Sequence, residues 1–378
     1  MKKIGVLGQG ITASAVKEFI KKASNYKEVS VNQADIIVTS PGIPPNQWPQ
    51  TSVEIISDIE FAFRELINQK KKPIIIGVTG TNGKTTVAAG IAHGLGVKAY
   101  GNIGRPLIGE INMLDANQPI VLELSSFQLF ASPSLHCDIA IIINIESDHL
   151  DWHGSHENYK AAKFNFIKSS NQQVYIPQKL KKDIQIKNYN FQIIEDLPSI
   201  HWPQFFGKHN KRNAALIHSV VSTVNNTIDV NNIMASFKLP PFRCESIYSK
   251  NKLTVINDSK ATNMSATMAA IQSVTEEKLL ILSGQPKGNY TIEWLTMVFA
   301  SCHSVYAAGY LNEHRDVFPI EFQSKIVFFS NLKLATIAAI NATKKGVILF
   351  SPSAASFDEF NDYIDRGQAF NSYVFKIL

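Results

Sequence analysis

The stretch Gly77-Val78-Thr79-Gly80-Thr81-Asn82-Gly83-Lys84-Thr85-Thr86 follows directly on the apolar run Ile74-Ile75-Ile76 and opens a helical pattern from about Thr85 to Leu95. A strand, a glycine-rich turn and a helix in that order make a phosphate cradle. Glycines permit the tight turn, backbone N–H groups face the phosphates, and the helix start favours negative charge. Gly80, Thr81, Asn82 and Gly83 form the loop, Lys84 adds a point charge, and Thr85 and Thr86 begin the helix. The Thr85 hydroxyl is placed to meet a magnesium ion bridging two phosphates. An ordinary glycine turn requires neither the Gly-Lys-Thr ending nor both flanks, so the segment reads as an ATP site.

Working outward, 378 residues allow two or three domains, each with its own core. A hydrophobic fraction of 45% and an aromatic fraction of 10% are those of a folded globular chain. Cys137, Cys244 and Cys302 are widely spaced, with neither zinc-ligand spacing nor a disulfide framework, which points to a reducing compartment. The apolar start Ile4-Gly5-Val6-Leu7-Gly8 is ended by Gln9-Gly10 with no cleavage segment behind it, and no run reaches the roughly 18 apolar residues of a membrane span. The expectation is a soluble, cytoplasmic protein. The net charge of +6 comes from scattered lysines without interleaved aromatics, which argues against nucleic acid as a partner.

Three segments can be read: 1–72, 73–240 and 241–378. The first has strands at Ile4–Leu7, Asp35–Thr39 and Val53–Ile56, a helix capped by Thr12 and reaching about Ala23, and a helix from about Asp58 to Asn68. Gly8-Gln9-Gly10 alone does not license a nicotinamide site. The second holds the phosphate loop, the strand Pro119–Leu124 and the near-continuous apolar strand Ile139–Ile145, the mark of a parallel sheet covered on both faces. Helices follow from about Glu157 to Ile167 and Asn210 to Val224. After Pro240-Pro241 the third segment alternates strands at Leu253–Asn257, Leu279–Leu282, Val305–Ala308, Ile326–Phe328 and Val347–Phe350 with helices. The fold class is therefore α/β: a small Rossmann-like domain, a central P-loop domain with a parallel sheet, and a second Rossmann-like domain.

Chemistry gathers at strand ends, where α/β sheets place their sites. Glu123 and His149 follow buried strands in the phosphate-loop segment and are candidate divalent-ion ligands. His153 is a hydrogen-bond candidate for Asp148 or Asp151, with a solvated loop position as the alternative, and His156 reads as a surface residue. Lys260 and Lys287 lie in polar turns and suit a phosphoryl or carboxylate group. Arg243, just past the two prolines, is a candidate to reach the nucleotide across a hinge.

These residues resemble the Mur ligase family, in its D-glutamate-adding branch. The matching stretches are GVTGTNGKTT at 77–86, GNIG at 101–104, ELSSFQL at 123–129, NIESDHLDWHGSHENYKAAK at 144–163, GKHNKRNAA at 207–215, NDSKATN at 257–263, GQPKG at 284–288 and SPSAASFDEF at 351–360. The phosphate loop is shared with folylpolyglutamate synthases; ELSSFQL, the DHLDWHG run and NDSKATN are more specific.

The resemblance implies an ATP-dependent ligase of peptidoglycan precursor synthesis. ATP phosphorylates the alanyl carboxylate of UDP-N-acetylmuramoyl-L-alanine, and the amine of D-glutamate attacks the acyl phosphate. It implies Lys84 and Thr85 on the ATP phosphates and a first magnesium, Glu123 as a further ligand, and His149 at a second magnesium. Lys163 matches the family's carbamylated lysine, whereas its own sequence context reads only as a helix-surface lysine. Asn102 matches the phosphate and metal region. Asn210 and Asn213, with His209, match the nucleotide side, and Arg243 and Asp258 match ATP contacts. Lys260, Thr262, Lys287, Ser356 and Phe357 fall where the family recognises D-glutamate or steadies the intermediate, with Lys260 and Lys287, like Lys84, Lys163 and His149, in the catalytic set. Thr12 and Ser40 remain to hold the UDP substrate, although a βα unit ending in a uridine-contacting Asp-x-Arg turn is missing. A monomer is expected. A folylpolyglutamate-synthase-like ligase and an inactive nucleotide-binding regulatory protein of the same fold are the alternatives.

Overall fold

The computed structural model describes residues 1–168, 172–183, 190–205 and 207–378. The lysine- and asparagine-rich stretch behind the second segment's middle helix lies partly outside them. Two compact units are formed: Met1–Trp202 with Arg212–Lys238, and Pro203–Lys211 with Leu239–Leu378.

The first unit contains two sheets. β1 (Lys2–Leu7), β2 (Tyr26–Val29), β3 (Ile36–Thr39) and β4 (Glu54–Ser57) form a parallel sheet in the order β2-β1-β3-β4. The helix α1 (Ile11–Lys22) starts one residue before Thr12, at a Gly10 N-cap of φ 98° that makes no side-chain cap bond, so Thr12 is not the cap. β2 is a strand that the polar run Asn25 to Ser30 did not signal. It pairs Lys2 with Tyr26 through Gly5 with Val29, and a single 3₁₀ turn at Val31–Gln33 leads on to β3. The unit expected to be missing therefore keeps its strand, and its helix is reduced to that turn. Gly5 makes this possible: a Cβ there would lie 3.0 Å from both Ala34 Cβ and Val31 Cα.

The second sheet has the order β10-β9-β8-β5-β7-β6 and is parallel throughout. Its strands are β5 (Ile75–Thr79), β6 (Ala99–Gly101), β7 (Ile120–Glu123), β8 (Ile139–Ile142), β9 (Gln173–Ile176) and β10 (Asn190–Ile193). β5, β7 and β8 are buried at every position, because helices cover both faces of a parallel sheet. One apolar core runs from Ile4, Val16 and Phe61 through Leu107 and Ile111 to Ile142 and Val174. Buried polar contacts also tie the two sheets: Ser57 N–H donates to Ala131 O at 2.8 Å, Ser57 and Ser132 hydroxyls lie 2.7 Å apart, and Gln128 Nε2 donates to Asp58 Oδ1 at 3.3 Å. Asp58 and Ser57 open the helix α2 (Asp58–Asn68), whose apolar face carries Phe61, Ala62 and Leu66 into that core.

The second unit holds β11 (Glu245–Lys250), β12 (Leu253–Asn257), β13 (Lys278–Ser283), β14 (Ser304–Ala308), β15 (Ile326–Phe329) and β16 (Gly346–Phe350) in the order β11-β12-β16-β13-β14-β15. Only β11, which the sequence pattern left unassigned, runs antiparallel, on β12. Apolar clusters built on Leu280, Leu282 and Trp294 and on Ile281, Phe350 and Phe370 flank the sheet. The three loops at the C-terminal ends of adjacent β12, β16 and β13 carry Lys260, Ser356 and Lys287.

Candidate active site

In the first unit, β5 delivers the phosphate loop to α3 (Lys84–Gly94). Gly80 (φ 155°) and Gly83 (φ 89°) take conformations that side chains disfavour, and Gly83 is the N-cap of α3. The loop is braced from the end of β8: Asn144 Oδ1 accepts from Thr81 N–H at 3.0 Å and Asn82 N–H at 2.9 Å, and Asn144 Nδ2 donates to Asn82 O at 3.0 Å. The Thr81 hydroxyl meets Tyr159 OH at 2.9 Å. Asn144 and Tyr159 lie in the quoted motif, where the sequence does not mark them as site residues. Their only signal was a polar residue at a buried strand's end and an aromatic one turn before Lys163. Asn213 belongs here too, since a Cβ on Gly83 would lie 3.2 Å from its Oδ1.

Lys84 Nζ donates to Gly80 O at 2.8 Å and Thr81 O at 3.0 Å. Lys163 Nζ donates to the same Gly80 O at 2.9 Å and lies 3.4 Å from Thr79 Oγ1. Far from standing on a helix surface, Lys163 is 1% exposed. Its helix, His156–Phe164, packs that face inward, against Tyr159 and the loop. Burial first, then the charge of Lys84, hold the Lys163 ammonium well below the usual lysine range, against the opposing pull of Asp148 and Glu123. Two amines on one carbonyl favour a neutral Lys163.

Glu123, 2% exposed, ends β7. Its Oε1 accepts from Asn102 Nδ2 at 2.8 Å, while its buried Oε2 meets no partner among the described residues. A buried carboxylate oxygen left in this state is the observation that suits a cation. No group of three His, Cys, Asp or Glu side chains able to hold a metal occurs among the described residues. Magnesium, which keeps waters and substrate phosphates as ligands and takes one or two carboxylates, fits such a donor set.

His149 adopts φ 54° at the start of the short helix Leu150–His153, its N–H donating to Asp148 Oδ1 at 2.9 Å and its ring 4.7 Å from that of Phe127. His153 does not pair with Asp148 or Asp151: its Nε2 lies 2.9 Å from Ser126 Oγ, and burial pushes its pKa down to about 4. His156 is half-buried rather than a surface residue. In the first sheet, Ser40 N–H donates to Leu7 O at 2.9 Å, and a Cβ on Gly8 would fall 2.5 Å from Ser40 Oγ. The turns after β1 and β3 are thus joined, with the buried Ser40 Oγ lacking a partner among the described residues. Thr12 is half-buried in the first turn of α1.

The second unit brings together another set. Asp258 Oδ2 accepts from Ser351 Oγ at 2.8 Å and Oδ1 from Cys244 N–H at 3.0 Å, and burial raises its pKa to about 7. Arg243 lies between two left-handed residues, Phe242 (φ 61°) and Cys244 (φ 49°). Lys260 Nζ stands 4.0 Å from the Tyr363 ring centroid. Thr262 is half-buried, Ser356 is buried, and Lys287 and Phe357 are exposed. His209 and Asn210 belong to this unit, and Asn213, on the same helix (Lys208–Val224), to the first.

Residues 78–192 match the model of the Mur ligase middle domain. The whole chain is similar to the UDP-N-acetylmuramoylalanine–D-glutamate ligase of Francisella tularensis subsp. tularensis, 32% identical over 407 residues, covering 98% of this chain and 95% of that one. The chain belongs to the Mur ligase family. The enzyme of the same name from Protochlamydia amoebophila is 33% identical over 93% of this chain and 86% of its own. Among solved structures, the MurF ligase of Thermotoga maritima in complex with ADP superposes with a TM-score of 0.66 at 18% identity, covering 100% of this chain and 96% of that one. The folylpolyglutamate synthase of Mycobacterium tuberculosis, complexed with ADP and AMPPCP, superposes at 0.61 and 14%, covering 84% and 94%. The α/β architecture with parallel sheets is that of the Mur ligase fold. No helix among the described residues is long and apolar enough to cross a membrane.

Proposed function

We propose that this Mur ligase joins D-glutamate to UDP-N-acetylmuramoyl-L-alanine at the expense of ATP, through an acyl phosphate, in peptidoglycan precursor synthesis. The observation that carries the reading is the cluster on the Gly80 carbonyl: Lys84 and the buried Lys163 share it, in the same loop region as a buried Glu123 carboxylate with one orphaned oxygen. A nucleotide-binding regulatory protein would need the first lysine but neither the second nor the orphaned carboxylate. Full-length similarity to D-glutamate ligases favours this substrate over a folate, for which only a likeness of fold speaks.

In this reading residues 1–72 hold the UDP substrate, with Thr12 and the joined turns at Gly8 and Ser40 on the diphosphate side. Residues 73–240 bind ATP, with Gly80 to Thr86 around the phosphates and Asn210 and Asn213 serving the nucleotide; in residues 241–378, Arg243 and Asp258 are the candidates for ATP contacts. Lys84 steadies the charge that builds as the terminal phosphoryl leaves. Magnesium, held by Thr85 and Glu123 with a second ion at His149, would neutralise phosphate charge and orient the transfer. Asn102 fixes the Glu123 carboxylate through the 2.8 Å hydrogen bond to its Oε1. A neutral Lys163 amine carries the lone pair that attacks carbon dioxide; the N–C bond forms, one proton leaves to water, and the resulting carbamate gives this pocket a second anion. Lys260, Thr262, Lys287, Ser356 and Phe357 receive D-glutamate, whose amine attacks the acyl carbon and expels phosphate. The enzyme acts as a cytoplasmic monomer.

The test is phosphate release by the purified chain with ATP and magnesium. Release that requires both UDP-N-acetylmuramoyl-L-alanine and D-glutamate is expected. Release with a folate substrate and L-glutamate instead, or none with any acceptor, overturns the reading.

A further inference from the structure

We propose that Arg366, which matches none of the substrate-binding positions, is a positioning residue that holds the three loops of the amino-acid site in mutual register; this rests on the D-glutamate reading of those loops. Arg366 lies in the last helix, Tyr363–Phe375, and is wholly buried. Its Nε donates to Ser259 Oγ at 3.1 Å and Nη2 to Ser259 O at 2.8 Å, and Nη1 donates to both Ser283 O and Ala354 O at 3.0 Å. Ser259 precedes Lys260, Ser283 opens the turn to Lys287, and Ala354 stands two residues before Ser356. One planar fork thus ties together loops that are distant in sequence and follow three adjacent strands.

Packing alone does not call for a cation here. No carboxylate comes within ion-pair distance of Arg366 among the described residues; its direct partners are backbone carbonyls and one hydroxyl, while Asp358, Asp258 and Glu359 favour its charge only from farther away. A buried charge is expensive, and an apolar side chain of similar volume often serves stability better. What an apolar side chain cannot do is orient three peptide groups at once, for which the rigid guanidinium fork is suited.

Three further features act in the same direction. Gly284, at φ 112°, leaves no room for a Cβ, which would lie 2.0 Å from Ala355 O and 2.7 Å from Arg366 Nη1. Gln285 and Ala355 exchange backbone hydrogen bonds of 2.8 Å, locking the second and third loops together. Tyr363, three residues before Arg366 on the same helix face, accepts the Ser259 hydroxyl at its carbonyl (2.8 Å) and lies under the Lys260 ammonium. Ser283 Oγ is buried without a partner among the described residues, a hydrogen-bonding capacity kept in reserve at the point where the loops meet.

The experiment uses the full-length Arg366→Met and Arg366→Lys variants. Melting temperature, hydrogen exchange of the free protein, and KM for each of the three substrates are measured. Met removes the donors; Lys keeps the charge but not the fork. Both are expected to melt near the parent, with KM for D-glutamate raised about tenfold or more, since ground-state positioning of that substrate is lost, and KM for ATP and the UDP substrate within about twofold. Exchange is expected to rise together in residues 258–263, 284–288 and 353–357 and nowhere in the strands. Restoration of parental KM by Lys, unchanged exchange in the three loops, or a rise of all three KM values in step with a fall in melting temperature overturns the proposal. If the parent shows no D-glutamate-dependent turnover, the functional reading fails by itself, and the exchange pattern still decides whether Arg366 holds the loops. If Met does not fold, Lys alone carries both measurements.

Discussion

Asn102 and Glu123 hold each other twice: Asn102 N–H donates to Glu123 O at 2.9 Å, and Asn102 Nδ2 to Glu123 Oε1 at 2.8 Å. The approach is close enough that a Cβ on Gly101 would lie 2.4 Å from Glu123 O. One carboxylate oxygen is thereby turned into place while the other stays buried and open to a ligand.

Removing that support by Asn102→Ala is expected to weaken magnesium binding without unfolding the sheet. Partners that orient a metal ligand are worth roughly 10–100-fold in metal affinity. Titration of activity with magnesium checks this: a rightward shift of that size is expected, and an unchanged curve would remove Asn102 from the metal's surroundings.

Lys84→Ala is expected to abolish turnover and greatly weaken ATP binding, since the loop loses the charge aimed at the terminal phosphates. Calorimetric titration with a non-hydrolysable ATP analogue measures the binding loss directly. Near-parental ligase activity in this variant contradicts the phosphate-loop assignment.

Carbon dioxide dependence should appear on the acid side. Burial holds the Lys163 pKa well below the usual lysine range, so at a given pH more of the amine carries the free lone pair that adds to carbon dioxide. As pH falls, the amine protonates and the carbamate is lost, so activity in degassed buffer should drop first at low pH and recover on adding bicarbonate. A ¹³C-bicarbonate carbamate resonance, absent in Lys163→Ala, is the direct check. A bare ammonium at Lys163 in a crystal grown with magnesium and nucleotide would sink the idea.

Asp58 predicts a stability profile. Burial raises its pKa from 3.8 to about 6, against the hydrogen bond from Gln128. The folded state therefore binds the proton more tightly than the unfolded chain, and its contribution is fully present below the unfolded pKa and lost as pH rises through about 6. Asp58→Asn, which keeps the acceptor and cannot ionise, should stabilise the first unit at pH 8 by up to about 3 kcal/mol and leave it unchanged at pH 4. Denaturant melts at the two pH values measure this, and equal effects at both would rule out ionisation of Asp58 as the cause.

The reduced first sheet should read its nucleoside weakly. β2 is followed by one 3₁₀ turn in place of a helix, so contacts to a base are few while the joined turns at Gly8 and Ser40 persist. Loss of binding remote from the reacting carboxylate raises KM and spares kcat. Discrimination between uridine and another nucleoside carrier is expected to be worth about 1–2 kcal/mol, the scale of one or two uncharged hydrogen bonds. A preference above about a hundredfold, equivalent to nearly 3 kcal/mol, would show that the short domain still reads the base.

Local pattern carried the phosphate loop, the buried parallel strands and the alternation of the third segment, because glycine torsions and apolar runs are written into neighbouring residues. It also placed Glu123 at a strand end. It missed β2, β6, β9, β10 and β11; of these, β2 and β11 are half-exposed edge strands whose pairing partners, not their own periodicity, make them strands. It placed Lys163 on a helix surface, although the side chain is buried, and it passed over Asn144 and Arg366. Those assignments depend on which backbone carbonyls and N–H groups the fold brings within about 3 Å of a side chain from residues far away. Hydrogen bonds across sheets and loops have no signature in sequence spacing, and burial decides whether an amine is charged. Composition and local pattern thus determined many of the elements and the nucleotide loop; only the tertiary structure decided which lysine is buried and which arginine holds the loops.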